Sequence, residues 1–95
     1  MQISIQGAGI KITEALDTFV RDKFKKLDRK ADLINSISVT LTVEKLEQIA
    51  KADIAVTGGN LHAEASAESM YTAIDALIDK VDRQIVKYKE KLKQE

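Results

Sequence analysis

Ile37, Val39, Leu41 and Val43 alternate with Ser38, Thr40, Thr42 and Glu44. That strict period of two dictates a strand with one apolar and one polar face. Two more runs follow the same rule. Ala52, Ile54 and Val56 face one way with Asp53 and Thr57 opposite, and Leu61, Ala63, Ala65 and Ala67 face inward with His62 on the polar side. Gly58-Gly59-Asn60 separates these two runs and is a hairpin signal. Leu46 to Lys51 reads as a turn or a loose strand end. Three consecutive antiparallel strands with a common polar face need cover on one side only.

The rest of the chain supplies that cover. Gln2 to Gln6 reads as a leading strand, broken by Gly7-Ala8-Gly9. Thr13 is then a plausible N-cap, with Glu14 and Asp17 in the first turn where carboxylates favour the helix dipole. Leu16, Phe19, Val20, Phe24 and Leu27 recur at three and four residues and define an amphipathic helix to about Lys30. After the last strand, Ser66 or Ser69 caps a long helix. Its apolar stripe is Met70, Ile74, Leu77, Ile78, Val81, Ile85, Tyr88 and Leu92. The expected order is β-α-β-β-β-α, an α+β fold in which two helices pack on one face of a four-stranded sheet.

Ninety-five residues with 44% hydrophobic and 32% charged side chains suit one globular domain, here expected over 1–95. The absence of cysteine excludes disulfides, thiolate metal sites and thiol catalysis, and fits a reducing cytosol. The alternating start Met1-Gln2-Ile3-Ser4-Ile5 is no signal peptide, and no apolar run approaches a membrane span. With no proline there is no Pro-rich linker to a hidden second domain.

Enzyme motifs are missing: no GxGxxG, no phosphate-binding loop and no nucleophile elbow. His62 is the only histidine and offers no triad. With Glu64 it shares the polar side of its strand, so a metal there would be adventitious at most. Phe19 and Phe24 lie on the core face, and Tyr71 and Tyr88 on or beside the core stripe. A base-stacking platform on the sheet is therefore not supported.

The formal net charge is zero, but its distribution is uneven. Residues 1–30 carry +3, residues 31–69 carry −4 and residues 70–95 carry +1. A polyanion responds to the local field. In the last helix Lys80, Arg83, Lys87 and Lys91 stand at spacings of three and four, and at about 100° per residue they form one narrow row beside the apolar stripe. Lys23, Lys26 and Lys30 repeat the spacing in the first helix. If the helices pack side by side, both rows meet around the interhelical groove and seven cations line one concave surface. Such a surface tracks phosphates and does not read bases. The same lysines also fit a solvated helix face. Asp79 with Arg83 and Asp22 with Lys26 have the spacing of pairs worth about 0.2–0.5 kcal/mol each.

The segment Ser69-Met70-Tyr71-Thr72-Ala73-Ile74-Asp75-Ala76-Leu77-Ile78-Asp79-Lys80-Val81-Asp82-Arg83-Gln84-Ile85 resembles the last-helix signature of the ribosome hibernation promoting factors, the short-factor and protein Y family. Ile12-Thr13-Glu14-Ala15-Leu16, Lys23-Phe24-Lys25-Lys26-Leu27 and the Gly-Gly hairpin before Leu61-His62-Ala63 resemble it too. The resemblance covers essentially the whole chain. One departure is Ser69, where relatives often carry an acid before Met-Tyr; it changes a helix cap only.

The resemblance implies a fold related to the double-stranded-RNA-binding fold with an extra leading strand. It implies binding to the small ribosomal subunit and its 16S RNA, and to the 70S ribosome, in the channel of the A and P sites. Messenger and transfer RNA would be blocked and translation inhibited in stationary phase or stress. The rRNA-binding residues it implies are Lys23, Lys26, Lys80, Arg83, Lys87 and Lys91, with Arg29, Lys30 and Lys89 as additions. The basic ending Lys87-Tyr88-Lys89-Glu90-Lys91-Leu92-Lys93 resembles the short factor, which acts with ribosome modulation factor to favour inactive 100S ribosome dimers. No cofactor, small-molecule substrate or membrane is implied, and the free protein is expected to be a cytoplasmic monomer. Three rivals differ in kind. A general double-stranded-RNA module would open its last helix with a lysine cluster. A small enzyme would hold His62 in a defined pocket. A protein-interaction domain would use the polar sheet face.

Overall fold

The computed structural model describes residues 2–27 and 32–93. Its elements are β1 (Gln2–Ala8), α1 (Glu14–Lys25), β2 (Ile34–Glu44), β3 (Glu47–Val56), β4 (Gly59–Ala67) and α2 (Met70–Lys93). The sheet order is β1-β2-β3-β4. β1 runs parallel to β2, and β3 and β4 follow antiparallel. Parallel neighbours cannot be joined by a tight turn, so α1 is the crossover between β1 and β2.

Thr13 starts α1 as its sequence position suggests. Its backbone is extended and its Oγ1 accepts the Leu16 N–H at 3.2 Å. The helix ends sooner than its periodicity predicts. Leu27 N–H donates to the Phe24 carbonyl at 3.0 Å and Lys26 N–H to that of Lys23 at 3.3 Å. These i→i−3 bonds tighten and close the last turn. Arg29 and Lys30 lie outside the described residues.

The β2–β3 connection corrects the expectation of a loose segment from Leu46 to Lys51. Glu44 pairs with Glu47, so only Lys45 and Leu46 form the turn and β3 begins at once. Lys45 takes φ 54°, the left-handed conformation a two-residue hairpin requires. The β3–β4 turn is likewise shifted by one residue. Val56 pairs with Gly59, so the turn residues are Thr57 and Gly58, and Gly59 already belongs to β4. Gly58 has φ 88°, and a Cβ there would lie 3.1 Å from the Tyr88 hydroxyl. That hydroxyl donates to the Thr57 carbonyl at 2.6 Å and ties the turn to α2.

The core lies between the helices and one sheet face. Ile37, Val39 and Leu41 of β2 and Ala50, Ala52 and Ile54 of β3 meet Val20 and Phe24 of α1 and Ile74, Leu77, Val81 and Ile85 of α2. Small alanines on β3 and β4 let α2 lie close against these strands. The opposite face is polar. Ser4 and Ser38 hydroxyls are 3.5 Å apart, and the Gln6 side-chain amide donates to Thr40 Oγ1 at 3.4 Å. His62 Nδ1 stands 2.7 Å from Asp53 Oδ1, its register partner on β3.

Both edge strands are met by helix side chains. On β1 the Ile3 carbonyl accepts from Arg21 Nη1 at 3.2 Å, while Asp17 Oδ1 holds the Arg21 Nε at 2.7 Å. On β4 the Glu64 carbonyl accepts from Lys80 Nζ at 2.8 Å and the His62 carbonyl from the Gln84 amide at 2.7 Å. Unmet edge carbonyls are a template for another strand, so these contacts guard the sheet against pairing between copies.

Phe24 is fully buried at the centre of the core. Phe24→Ala is expected to lower unfolding free energy by about 3–5 kcal/mol in urea denaturation. Tyr88→Phe removes one hydrogen bond and should cost only about 0.5–1.5 kcal/mol.

Candidate nucleic-acid interface

The orientation of α2 decides what its basic row can reach. Ile74, Leu77, Val81 and Ile85 face the sheet. One flank of that stripe carries Asp75, Ile78, Asp79 and Asp82 at helical spacing. These residues, with Lys26 and Leu27 of α1, line a hollow of about 320 Å³ between the helices. The other flank carries Lys80, Gln84, Lys87 and Lys91 and lies along β4. Lys87 and Lys91 line a shallow hollow of about 280 Å³ with Leu61, Gln84 and Tyr88.

The expected seven-cation groove is therefore not what the helices form. The interhelical groove is lined by aspartates of α2 with Lys26 of α1, and Lys87 and Lys91 lie outside it on the opposite flank of α2. The amphipathic stripe of α2 has two flanks, and the acidic one faces α1.

Each candidate residue has a distinct environment. Lys23 is half-buried; its ammonium lies 3.1 Å from Asp75 Oδ1 and 5.2 Å from the Phe19 ring centroid. Lys26 is exposed and makes no ion pair among the described residues. Lys80 is exposed, with its ammonium on the Glu64 carbonyl. Arg83 pairs with Asp79 at 3.0 Å, the i,i+4 contact its spacing predicts, and both side chains are largely exposed. Such a pair exchanges readily for a stronger anion. Lys87 and Lys91 are exposed and have no ion-pair partner among the described residues. Asp22 pairs with Lys25 at 4.0 Å instead of the expected Lys26. Lys30 belongs to the residues not described.

Arg83, Lys87 and Lys91 thus form an outward basic edge on α2, and Lys26 is exposed on the α1 side. Sequence reasoning did not single out Arg21 or Gln84, whose roles at the strand edges depend on packing rather than on charge pattern. Among the described residues no group of three or more histidine, cysteine, aspartate or glutamate side chains could hold a metal. No described helix is long and apolar enough to cross a membrane.

A four-stranded sheet with one open polar face and two helices on the other, in the order β-α-β-β-β-α, defines a class of small α+β proteins. Comparison with known proteins narrows the class. The family model described as Sigma 54 modulation protein / S30EA ribosomal protein matches residues 3–93, and the chain belongs to this family. A ribosome hibernation promoting factor of Klebsiella oxytoca is 50% identical over 94 residues, which are 99% of each chain. One of Escherichia coli strain K12 is 50% identical over the same share. A solved ribosomal subunit interface protein of Coxiella burnetii superposes with a TM-score of 0.91 at 30% identity, covering 95% of this chain and 99% of that one. The N-terminal domain of Thermus thermophilus Protein Y gives 0.84 at 27% identity, covering 93% and 99%.

Replacing Lys80 and Gln84 together by Ala uncovers two carbonyls of β4. Sedimentation velocity is expected to show concentration-dependent self-association of this variant. A Lys87→Ala, Lys91→Ala variant should sediment as the unaltered protein does.

Proposed function

We propose that this protein is a ribosome hibernation promoting factor that binds the small ribosomal subunit and keeps it from translating. The observation that carries the reading is the basic edge of α2, found in a chain half identical to hibernation promoting factors over nearly their whole length.

The mechanism is electrostatic and steric. Lys87 and Lys91 stand on a helix anchored by the core through Ile85, and with no ion-pair partner among the described residues their ammonium groups replace counterions on 16S RNA phosphates. Arg83 joins them by exchanging Asp79 for a phosphate, to which its planar fork is suited. Lys26 makes a second contact from α1. Lys23 and Lys80 contribute field but remain engaged with Asp75 and the Glu64 carbonyl. Lys30 is assigned to the same surface from its spacing and the family resemblance alone.

The acidic residues orient the domain. Glu44, Glu47, Asp53, Glu64 and Glu68 are all exposed on β2–β4 or just beyond. They repel RNA from the sheet side and turn the helices toward it. A body of 44 × 22 × 18 Å bound in the channel of the A and P sites excludes messenger and transfer RNA by volume. The protein acts in the cytoplasm, in stationary phase or stress, as a monomer when free and as one domain over 1–95. It works with ribosome modulation factor to favour 100S dimers. No covalent chemistry, cofactor or small-molecule substrate is required.

Co-sedimentation with purified small subunits at two salt concentrations tests the reading. Affinity should fall steeply with salt. Arg83→Ala, Lys87→Ala, Lys91→Ala should weaken binding about tenfold or more and flatten the log–log salt slope by about 0.7–0.9 per lost contact. Lys80→Ala should do less than Lys87→Ala. Equal binding of triple variant and parent would remove the α2 edge from the mechanism. Comparable affinity for a free RNA duplex would favour a general double-stranded-RNA module. Prior occupancy of the channel by transfer RNA should prevent binding.

A further inference from the structure

Phe19 of α1 and Tyr71 of α2 meet edge to face, with ring centroids 4.8 Å apart and planes at 85°. Periodicity places Tyr71 on or beside the core stripe, but the residue is 43% exposed. Met70 and Ile74, its neighbours on the core side of the helix, are buried. The pair forms the floor of an open notch of about 520 Å³ whose rim carries Glu14, Thr18 and Asp22. No cation lines this notch. Among the described residues Glu14 has no ion-pair partner, and Asp22 has only the distant Lys25, 4.0 Å away on an exposed flank.

Exposed aromatic rings attract cations through their quadrupole, and two carboxylates beside them add charge of the same preference. The molecule already contains one instance of this recognition. The Lys23 ammonium lies 5.2 Å from the Phe19 centroid while bonded to Asp75. Lys23 reaches Phe19 from outside the notch, and leaves the Tyr71 ring and the Glu14 carboxylate with no cation among the described residues. Phosphate is disfavoured there by the rim.

We propose that the Phe19–Tyr71 notch docks an arginine or lysine side chain from a basic segment of a partner protein. The surface is distinct from the α2 edge, and the proposal does not rest on the RNA contacts assigned there. One molecule would therefore present lysines to RNA and a carboxylate-rimmed aromatic notch to protein.

The test is an NMR titration of the free, isotope-labelled protein with a short Gly-Arg repeat peptide, and in parallel with adenosine monophosphate. The peptide should shift Thr18, Phe19, Asp22 and Tyr71 above all other residues. Glu14→Gln, Asp22→Asn alters only exposed carboxylates and should weaken the peptide about fivefold. Tyr71→Leu keeps bulk without the ring and should weaken it comparably. Unchanged affinity in the carboxylate variant would overturn the proposal. So would shifts as strong at Glu44, Glu47, Asp53 and Glu64, which mean diffuse charge attraction. Shifts at the notch from the nucleotide but not the peptide would make it a base-stacking surface instead. Because no ribosome enters the titration, failure here and failure of ribosome binding are separate results.

Discussion

The rotation of α2 about its own axis governs the rest of this structure. Burial of Ile74, Leu77, Val81 and Ile85 against β3 and β4 fixes that rotation. Each such side chain contributes about 1.5–3 kcal/mol when fully buried. A turn of one residue would carry several of them into solvent. With the stripe fixed, both flanks are fixed as well. Asp75, Asp79 and Asp82 must face α1, and Lys80, Gln84, Lys87 and Lys91 must lie along β4. The basic edge is therefore placed by the core, and no surface interaction needs to hold it there.

The same placement solves a problem of open sheets. β1 and β4 are edges, and a sheet covered on one side only presents both of them. Arg21 on α1 and Lys80 and Gln84 on α2 reach over to edge carbonyls from the helices that already cover the core. Basic and amide donors suit this task because a carbonyl can only accept. A lysine in the basic row thus has a structural duty. Lys80 differs from Lys87 in what its ammonium touches, although the two are indistinguishable in spacing.

Much of this was legible in the sequence. Alternation in β2–β4 and the two helical stripes are long, regular signals, and they yielded the element order and the covered face. What misled was local. The turn at Lys45-Leu46 contains no glycine, so a hairpin whose left-handed residue is a lysine looked like a frayed segment. Gly58-Gly59 drew the second turn one residue too far because either glycine could take the positive φ. Lys80, Lys87 and Lys91 share the flank along β4, while Arg83 turns to Asp79 and Lys30 lies outside the described residues. The meeting of two rows in one groove was misjudged, because an amphipathic stripe has two flanks and the sequence does not say which one borders the neighbouring helix. Tyr71 was drawn toward the core by the stripe beside it, whose buried positions here are Met70 and Ile74.

A chain with no net charge can still serve a polyanion when its charges are sorted by face. The sorting here is finer than a basic half and an acidic half. The row of aspartates divides the helical layer and holds Lys23 and Arg83 in ion pairs at Asp75 and Asp79, while Lys87 and Lys91, with no ion-pair partner among the described residues, lie along the outer edge of α2, where the proposed function has RNA approach. That arrangement carries orientational information a uniformly basic face would lack. A lysine-covered surface binds phosphates in many poses of similar energy. An edge of cations bounded by aspartates on one side and by the acidic strands β2–β4 on the other disfavours most of them through like-charge repulsion. Such an arrangement exchanges affinity for register, which is what the proposed occupation of one channel would require.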